Sequence, residues 1–186
     1  MRVIAGQAKG RKLRSVRGIR PITDRVKAAL FDTLGERVVG ALFLDLFAGT
    51  GGVGIEALSR GARRAVFVER SRRAIEAIEE NLRATGLADR AEVVREDVFK
   101  FLARKPAEKF DIVYIAPPQY QGLWARTLQA LDERDILAED GLAIAQIYPK
   151  EYQDLELKNL RLIEQRRYGS TMLCFYASGP IMLSYL

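Results

Sequence analysis

The sequence predicts an α/β protein, in which a mostly parallel β-sheet of seven strands is covered by helices on both faces and ends in an antiparallel hairpin. Three observations predict this class. From Leu42 onward, short apolar runs alternate with amphipathic segments, as in βαβ units. The runs 42–47 and 112–115 are almost entirely apolar, which is typical of parallel strands buried on both faces. The last two apolar runs are separated only by Gly169 and Ser170, which is typical of a hairpin turn.

The helices and strands can be assigned in order from their spacing and their end signals. Thr23 is a capping residue type, and Val26 and Leu30 after it share one helical face, so a first helix is expected there. Ser71 and Gly86 mark the start and stop of a longer helix. The strands are expected at 42–47, 65–69, 92–95, 110–115, 142–148, 162–168 and 171–177. The later helices are expected at 54–60, 71–85, 98–103 and 123–131.

Charge and composition divide the chain into three parts. Residues 1–20 are expected to form a small basic hairpin that packs on the sheet domain, residues 21–178 to form that domain, and residues 179–186 to be a loose tail after a Gly-Pro break. The cations crowded at the start of the chain face one acid, Asp24, which predicts a phosphate-binding surface. These cations are Arg2, Lys9, Arg11, Lys12, Arg14, Arg17, Arg20 and Arg25.

Composition excludes several classes of mechanism. The 186 residues contain no histidine and one cysteine, Cys174. A Ser-His-Asp triad, a Cys-His pair and a zinc site of His and Cys ligands are therefore impossible, and no metal is expected. No apolar run reaches the ~20 residues of a membrane helix, and the N-terminus does not resemble a secretory signal, so a cytoplasmic protein is expected. A monomer is expected as well. The net charge of +6 favours an acidic partner such as nucleic acid.

A glycine loop follows the first strand of the predicted sheet. Gly49, Gly51 and Gly54 fit the pattern G-x-G-x-x-G, which lets backbone approach a nucleotide-like cofactor closely. Glu69 ends the next strand, where an acid commonly accepts hydrogen bonds from ribose hydroxyls. The order of strand, loop, helix, strand and acid favours a cofactor site over a simple glycine turn.

Two further carboxylates discriminate between possible cofactors. Asp45, just before the glycine loop, would repel a pyrophosphate but would suit the ammonium of a methionine moiety. Asp97, after the third strand, is placed to accept from an adenine amino group, to cap the following helix, or to do both. S-adenosylmethionine is therefore favoured, and a nicotinamide or flavin oxidoreductase is the less favoured alternative.

Three segments resemble a known family. Residues 20–31 read RPITDRVKAALF, residues 44–51 read LDLFAGTG and residues 54–62 read GIEALSRGA. They resemble the RsmD-type small-subunit ribosomal RNA (guanine-N2) methyltransferases, which have a Rossmann-like class I methyltransferase fold. The likeness runs from Arg2 to about Ala177 and includes the basic N-terminal hairpin. It implies methyl transfer from S-adenosylmethionine to the N2 amine of a guanine in 16S ribosomal RNA, within an assembling small subunit.

The resemblance also implies roles for individual residues. The cofactor would be held by Asp45, Phe47, Gly49, Thr50, Gly51, Glu69, Arg70, Asp97 and Val98. The target base would be clamped by the catalytic segment Ala116, Pro117, Pro118 and Tyr120. Ribosomal RNA would be gripped by Arg2, Lys9, Arg11, Lys12, Arg14 and Arg25.

The proline segment departs from the family pattern at one position. The family carries Asp-Pro-Pro followed by an aromatic residue, whereas residues 116–120 read APPQY, so Ala116 replaces the acid and the aromatic moves to Tyr120. Backbone carbonyls persist whatever the side chain, and proximity to an activated methyl donor supplies much of the rate. Activity is therefore expected without the acid. The alternative is a degenerate methyltransferase that binds S-adenosylmethionine or RNA without turnover.

Overall fold

Helices and strands alternate along the computed structural model, which describes residues 1–179. The helices are α1 (Asp24–Leu34), α2 (Gly52–Ser59), α3 (Arg72–Thr85), α4 (Val98–Leu102) and α5 (Leu123–Glu133). The strands are β1 (Leu42–Leu46), β2 (Arg64–Glu69), β3 (Ala91–Arg95), β4 (Phe110–Ile115), β5 (Leu137–Ile147), β6 (Leu160–Tyr168) and β7 (Thr171–Ser178). The tail expected at 179–186 lies, apart from Gly179, outside the described residues.

The strands form one sheet in the order β3-β2-β1-β4-β5-β7-β6. Strands β1 to β5 run parallel, and β7 pairs antiparallel with both β5 and β6. Strand order reverses between β1 and β4, so the connections that follow these two strands diverge and open a crevice at the carboxyl edge of the sheet. The predicted fold class, a mostly parallel Rossmann-like sheet with a C-terminal hairpin, is confirmed.

Apolar layers cover both faces of the sheet. Helices α1, α2 and α3 pack on one face around Phe43 and Phe67, and α4 and α5 pack on the other around Trp124. Neighbouring side chains of β1 point to opposite faces, so all of Leu42–Leu46 is buried, including Asp45. This burial on both sides explains the continuous apolar run in the sequence. Within residues 1–179, no helix combines the length and apolar character needed to cross a membrane.

The helix ends that the sequence marks are formed as predicted. The amide of Val26 donates to Thr23 Oγ1 (3.2 Å) and the amide of Ala74 donates to Ser71 Oγ (3.4 Å). Gly86 closes α3 with φ 71°, a left-handed conformation that favours glycine. Local sequence signals therefore determine where α1 and α3 begin and where α3 ends.

Most element bounds differ from the prediction by one or two residues, and three of the differences have clear local reasons. β1 ends one residue earlier, because Phe47 turns into the left-handed region with φ 58°. α2 begins two residues earlier, because Gly51, with φ 85°, occupies its N-cap position. β5 begins five residues earlier, because Leu137 pairs with Phe110 beyond an irregularity in the ladder.

The N-terminal segment (residues 1–20) folds back on itself as expected, but more as a loop than as a regular hairpin. A β-bridge joins Arg2 to Lys12, and the amide of Val3 donates to the carbonyl of Arg11 (2.9 Å). Val3 and Leu13 are buried in the same apolar cluster as α1 and α2. The segment therefore shares the core of the sheet domain while its cations point to solvent. The division of the chain at residue 20 stays a prediction.

A buried ion pair fastens the N-terminal segment to the helices. The Lys27 ammonium and the Glu56 carboxylate are fully buried and 3.2 Å apart. Lys27 Nζ donates to the carbonyl of Arg2 (2.6 Å), and Glu56 accepts from the amides of Ile4 (2.9 Å) and Ala5 (3.1 Å). Burial lowers the pKa of Lys27, and the Glu56 charge opposes that shift. One pair of charges thus satisfies three backbone groups of the segment.

We expect Glu56→Gln to lower the free energy of unfolding by roughly 3–5 kcal/mol, because it leaves the Lys27 ammonium buried without its counter-charge. Lys27→Met should cost less, since Glu56 keeps the Arg60 guanidinium at 2.8 Å. Urea unfolding followed by circular dichroism measures both values. Glu76→Gln breaks the exposed Arg72–Glu76 pair and is the control, with an expected cost of about 0–1 kcal/mol. Equal losses for the Glu56 and Glu76 variants would contradict this account.

Candidate active site

A cleft of about 1070 Å³ opens at the carboxyl edge of the sheet, where strand order reverses between β1 and β4. Its floor is built from the ends of β1 to β5 and the loops that follow them. Residues 18–26 of the N-terminal region and residues 168–171 of the β6–β7 turn also border it. This volume is at the upper end for small-molecule sites, which leaves room for a cofactor and a base together.

The cleft brings most of the predicted cofactor residues together. Those that border it are Asp45, Phe47, Gly49, Thr50, Glu69, Arg70, Asp97 and Val98. Gly51 does not border it, because its left-handed backbone caps α2 and its Cα faces Ile55 and Ile78. Gly52 reaches the cleft surface instead. The strand ends therefore bring these residues to one cleft, with Gly52 rather than Gly51 at its surface, and their role in holding the cofactor stays a prediction.

Hydrogen bonds to Glu69 fix the glycine loop. Glu69 Oε1 accepts from the amide of Gly49 (3.0 Å), and Oε2 accepts from the amides of Arg70 (2.9 Å) and Ser71 (2.8 Å). Oε1 keeps a second lone pair that is free for a ribose hydroxyl. The loop is left-handed at Phe47 (φ 58°) and at Gly49 (φ 59°). Such strain at a non-glycine residue concentrates at functional sites.

Asp45 is the buried acid of the site. Its Oδ2 accepts from the amide of Gly54 in the first turn of α2 (3.0 Å), so the carboxylate occupies the helix N-terminus that a phosphate would use. Burial raises the pKa of Asp45 to about 8, the Gly54 hydrogen bond opposes that shift, and the charge of Glu69 adds to it. A Cβ on Gly54 would lie 2.3 Å from the Phe67 ring, so this glycine permits close packing of α2 on β2.

Asp97 caps α4, as the sequence allows. Its Oδ1 accepts from the amides of Phe99 (2.9 Å) and Lys100 (3.2 Å), which leaves Oδ2 for a ligand. Sequence reasoning missed two neighbours, Phe99 and Arg126, which border the cleft with the Arg126 guanidinium carbon 3.8 Å from the Phe99 ring centroid. No sequence signal joins them, because the packing of α5 against α4 makes the contact.

The proline segment forms another part of the cleft floor. Ala116, Pro117 and Pro118 border the cleft, with Ala116 half-buried after β4. Tyr120, the predicted aromatic partner of the base, lies outside the lining and is 64% exposed, with φ 61°. Its ring packs on Tyr148, with centroids 5.4 Å apart. The base-stacking role of Tyr120 stays a prediction, and it requires the ring to move to the cleft.

The cations predicted to bind RNA occupy two places. Arg25 borders the cleft, and Arg20 and Arg126 border it too. Exposed on the N-terminal segment, outside the lining, are Arg2, Lys9, Arg11, Lys12 and Arg14. Arg14 pairs with Glu80 at 2.6 Å, which neutralises part of its charge. Exposed positive charge therefore extends from the N-terminal segment to the cleft.

Comparison with known proteins decides the family. Residues 1–177 match the family described as conserved hypothetical protein 95. The Escherichia coli K12 protein named ribosomal RNA small subunit methyltransferase D is 41% identical over 144 residues, covering 76% of this chain and 72% of that protein. This chain belongs to the RsmD-type methyltransferase family.

Two further relatives of this RsmD-type chain extend the likeness to nearly its full length. A Bacillus subtilis protein, provisionally named rRNA methyltransferase YlbH, is 38% identical over 181 residues and covers 95% of this chain and 98% of that protein. The solved structure of an Escherichia coli protein, provisionally named methyltransferase yhhF, superposes with a TM-score of 0.86 at 35% identity. That match covers 96% of this chain and 97% of that chain.

A buried asparagine joins the glycine loop of this RsmD-type chain to its N-terminal segment. Asn81 Nδ2 donates to the carbonyl of Thr50 (3.0 Å), and Oδ1 accepts from the amide of Arg14 (2.6 Å). The partners lie 31 and 67 residues away along the chain. No local pattern identifies such a residue, because its role exists only once α3 has packed on the sheet.

We expect the affinity for S-adenosylhomocysteine to rise between about pH 6 and about pH 8. To pair with the ligand ammonium, Asp45 must release the proton that its pKa of about 8 retains in this range, which costs up to about tenfold in affinity per pH unit below the pKa. Calorimetric titration in two buffers of different ionisation enthalpy measures both the affinity and the protons released.

Asp45→Asn is the matched control for this titration. It keeps the size of the side chain but has no ionisable group, so it should bind more weakly and without the pH dependence. A flat wild-type profile, or a variant that retains the wild-type slope, would show that Asp45 does not receive the ammonium.

Proposed function

We propose that this RsmD-type protein transfers a methyl group from S-adenosylmethionine to the exocyclic N2 amine of a guanine in small-subunit ribosomal RNA. One observation carries the proposal: a single cleft is bordered by acids that suit the methyl donor and by a Pro-Pro segment that suits an amino-bearing base. The name of the Escherichia coli relative gives small-subunit ribosomal RNA as its substrate, which supports the same class here.

The acids of the cleft fit S-adenosylmethionine, the cofactor. Asp45 faces its ammonium, Glu69 accepts from its ribose hydroxyls and Asp97 accepts from its adenine amino group. Asp45 and Glu69 lie at the ends of β1 and β2, and Asp97 lies just after β3. These strands are adjacent in the sheet, so the ligand spans three strand ends. A dinucleotide fits poorly, because Asp45 already holds the Gly54 amide that its pyrophosphate would need and because all three acids would repel it.

The residues of the cleft orient the amine for transfer. When bound, S-adenosylmethionine supplies a methyl group on a cationic sulfur: the amine nitrogen forms the N–C bond, the S–C bond breaks with its electron pair going to sulfur, and the amine loses one proton to water. The backbone carbonyls of Ala116 and Pro117 accept the amine hydrogens, which turns the nitrogen lone pair toward the methyl group and spreads the developing charge. The prolines hold these carbonyls in place because their φ angles are restricted.

A comparison of two contributions to the activation barrier supports activity without the family acid, which Ala116 replaces. Losing one preorganised partner costs roughly 3–4 kcal/mol of barrier lowering. Holding the reactants in the correct geometry supplies on the order of 7–11 kcal/mol in favourable cases. The lowering of the barrier by proximity is therefore larger than the lowering lost with the acid.

RNA must present a base to the part of the cleft formed by Ala116, Pro117 and Pro118, which we call the slot. A base within RNA structure must leave its stack before its amine can contact the Pro-Pro segment. The exposed cations of the N-terminal segment grip the phosphates around it, and such contacts weaken steeply as salt rises. The cations that border the cleft, Arg20 and Arg25, continue this surface to the slot.

Immature small subunits incubated with tritiated S-adenosylmethionine should acquire label in 16S ribosomal RNA. Nucleoside digestion and mass spectrometry should then identify N2-methylguanosine, and mature, fully modified subunits should remain unlabelled. Calorimetry with S-adenosylhomocysteine on the same preparation reports cofactor binding separately. Binding without transfer would favour the degenerate alternative, and a methyl group on any other atom would contradict the guanine-N2 assignment.

Replacing Lys9, Arg11 and Lys12 with Glu should weaken RNA binding and reduce the slope of log affinity against log salt by about two to three, because each phosphate contact contributes roughly 0.7–0.9 to that slope. Filter binding at several salt concentrations measures the slope. The control carries the same three charge reversals at exposed cations outside the cleft lining, namely Lys105, Arg134 and Lys158. Equal slopes for the two triple variants would exclude the N-terminal segment as the phosphate grip.

A further inference from the structure

Gln146 lies next to Ala116, the residue that replaces the family acid. In the parallel pairing of β4 with β5, Ile115 is opposite Ala145. The next residues on the two strands, Ala116 and Gln146, are therefore neighbours at the carboxyl edge, and both border the cleft. Because side chains alternate along a strand, both point to the same face of the sheet as Tyr114.

A buried hydroxyl orients the carboxamide of Gln146. Tyr114 is 2% exposed and donates its hydroxyl hydrogen to Gln146 Oε1. Burial raises the pKa of Tyr114 well above its ordinary value, and the charge of Asp45 on the adjacent strand adds to this, so the hydroxyl remains a donor. Within the described part of the chain, no acceptor takes the Nε2 hydrogens of Gln146. The Gln146 side chain is thus held at Oε1, while its Nε2 group is free to donate to a ligand.

We propose that Gln146 is the specificity-determining residue of this slot and holds the guanine through N1–H and O6, in place of the acid missing at Ala116. The inference rests on the proposed function. Oε1 has a second lone pair, which accepts N1–H, while Nε2 donates to O6. The N2 amine, next to N1 on the same edge, is then left to the carbonyls of Ala116 and Pro117. Gln146 exchanges no proton or electron, so it acts by position alone.

Other amides near the slot lack this anchoring. Gln119 and Gln121 border the cleft but are exposed, on either side of Tyr120. A group that is already oriented loses less freedom when the ligand binds, so it contributes more than a flexible one. A neutral amide at this place also avoids a second charge near the buried carboxylate of Asp45.

The test compares wild type, Gln146→Leu, Ala116→Asp and the double variant in the transfer assay on immature small subunits. Gln146→Leu removes both hydrogen bonds at similar volume and should lower kcat/KM roughly 10- to 100-fold. Its Kd for S-adenosylhomocysteine should stay within about twofold of wild type, because the cofactor acids are untouched. Gln153→Leu, exposed and outside the cleft lining, is the matched control and should transfer like wild type.

The double variant separates a contact with the base from a structural role. An acid at position 116 reaches the same base edge, so Ala116→Asp should raise kcat/KM about tenfold in the Gln146→Leu background and much less in wild type, since residues that share a ligand are non-additive. Recovery of transfer at unchanged cofactor affinity supports the inference, because a merely structural Gln146 would not be rescued from a neighbouring strand.

Two results would overturn the inference and leave the proposed function standing. One is a Gln146→Leu protein as active as Gln153→Leu. The other is an equal effect of Ala116→Asp in both backgrounds, which would mean that the two side chains do not act on one base. A wild-type protein that binds S-adenosylhomocysteine and methylates no guanine would remove the proposed function itself, and the inference with it.

Discussion

The hydrogen bond from the Gly54 amide to the Asp45 carboxylate joins the end of β1 to the first turn of α2. The cleft depends on this contact, because Asp45 and the loop that leads into α2 form part of its lining. The hydrogen bond brings α2 so close to β2 that Gly54 has no space for a side chain against Phe67. The chain between β1 and α2 must then turn within a few residues, which places Phe47 and Gly49 in left-handed conformations. The Asp45 hydrogen bond at one end of the glycine loop and the hydrogen bond from the Gly49 amide to Glu69 together hold the path of the loop.

The same helix also carries the N-terminal segment. Glu56, two residues further along α2, accepts hydrogen bonds from the backbone amides of Ile4 and Ala5. Ile19 packs so close to Gly49 that a Cβ there would be 3.2 Å from it. The N-terminal segment therefore contacts both α2 and the glycine loop before it, which brings the surface expected to grip RNA close to the loop expected to hold the cofactor.

Charge differs between parts of the cleft. Carboxylates lie at the ends of β1, β2 and β3, the part that suits a cationic methyl donor. Arg20, Arg25 and Arg126 also border the cleft, and Arg126 lies near Asp97 through its contact with Phe99. At the ends of β4 and β5, the bordering side chains Ala116, Pro117 and Gln146 are neutral, which suits a neutral base. The loss of the family acid at Ala116 makes this part of the cleft more uniform in charge.

Sequence by itself determined the fold class, the start of α1, the start and end of α3, and the meeting of Asp45, Glu69 and Asp97. These follow from local patterns: apolar runs reveal strands, capping residues reveal helix ends, and acids placed directly after parallel strands must share one edge of the sheet. The tertiary structure alone decided where Tyr120 points and which partners Asn81 and Gln146 take. Such contacts depend on the register of distant strands and the angles at which helices pack, and no local pattern encodes either.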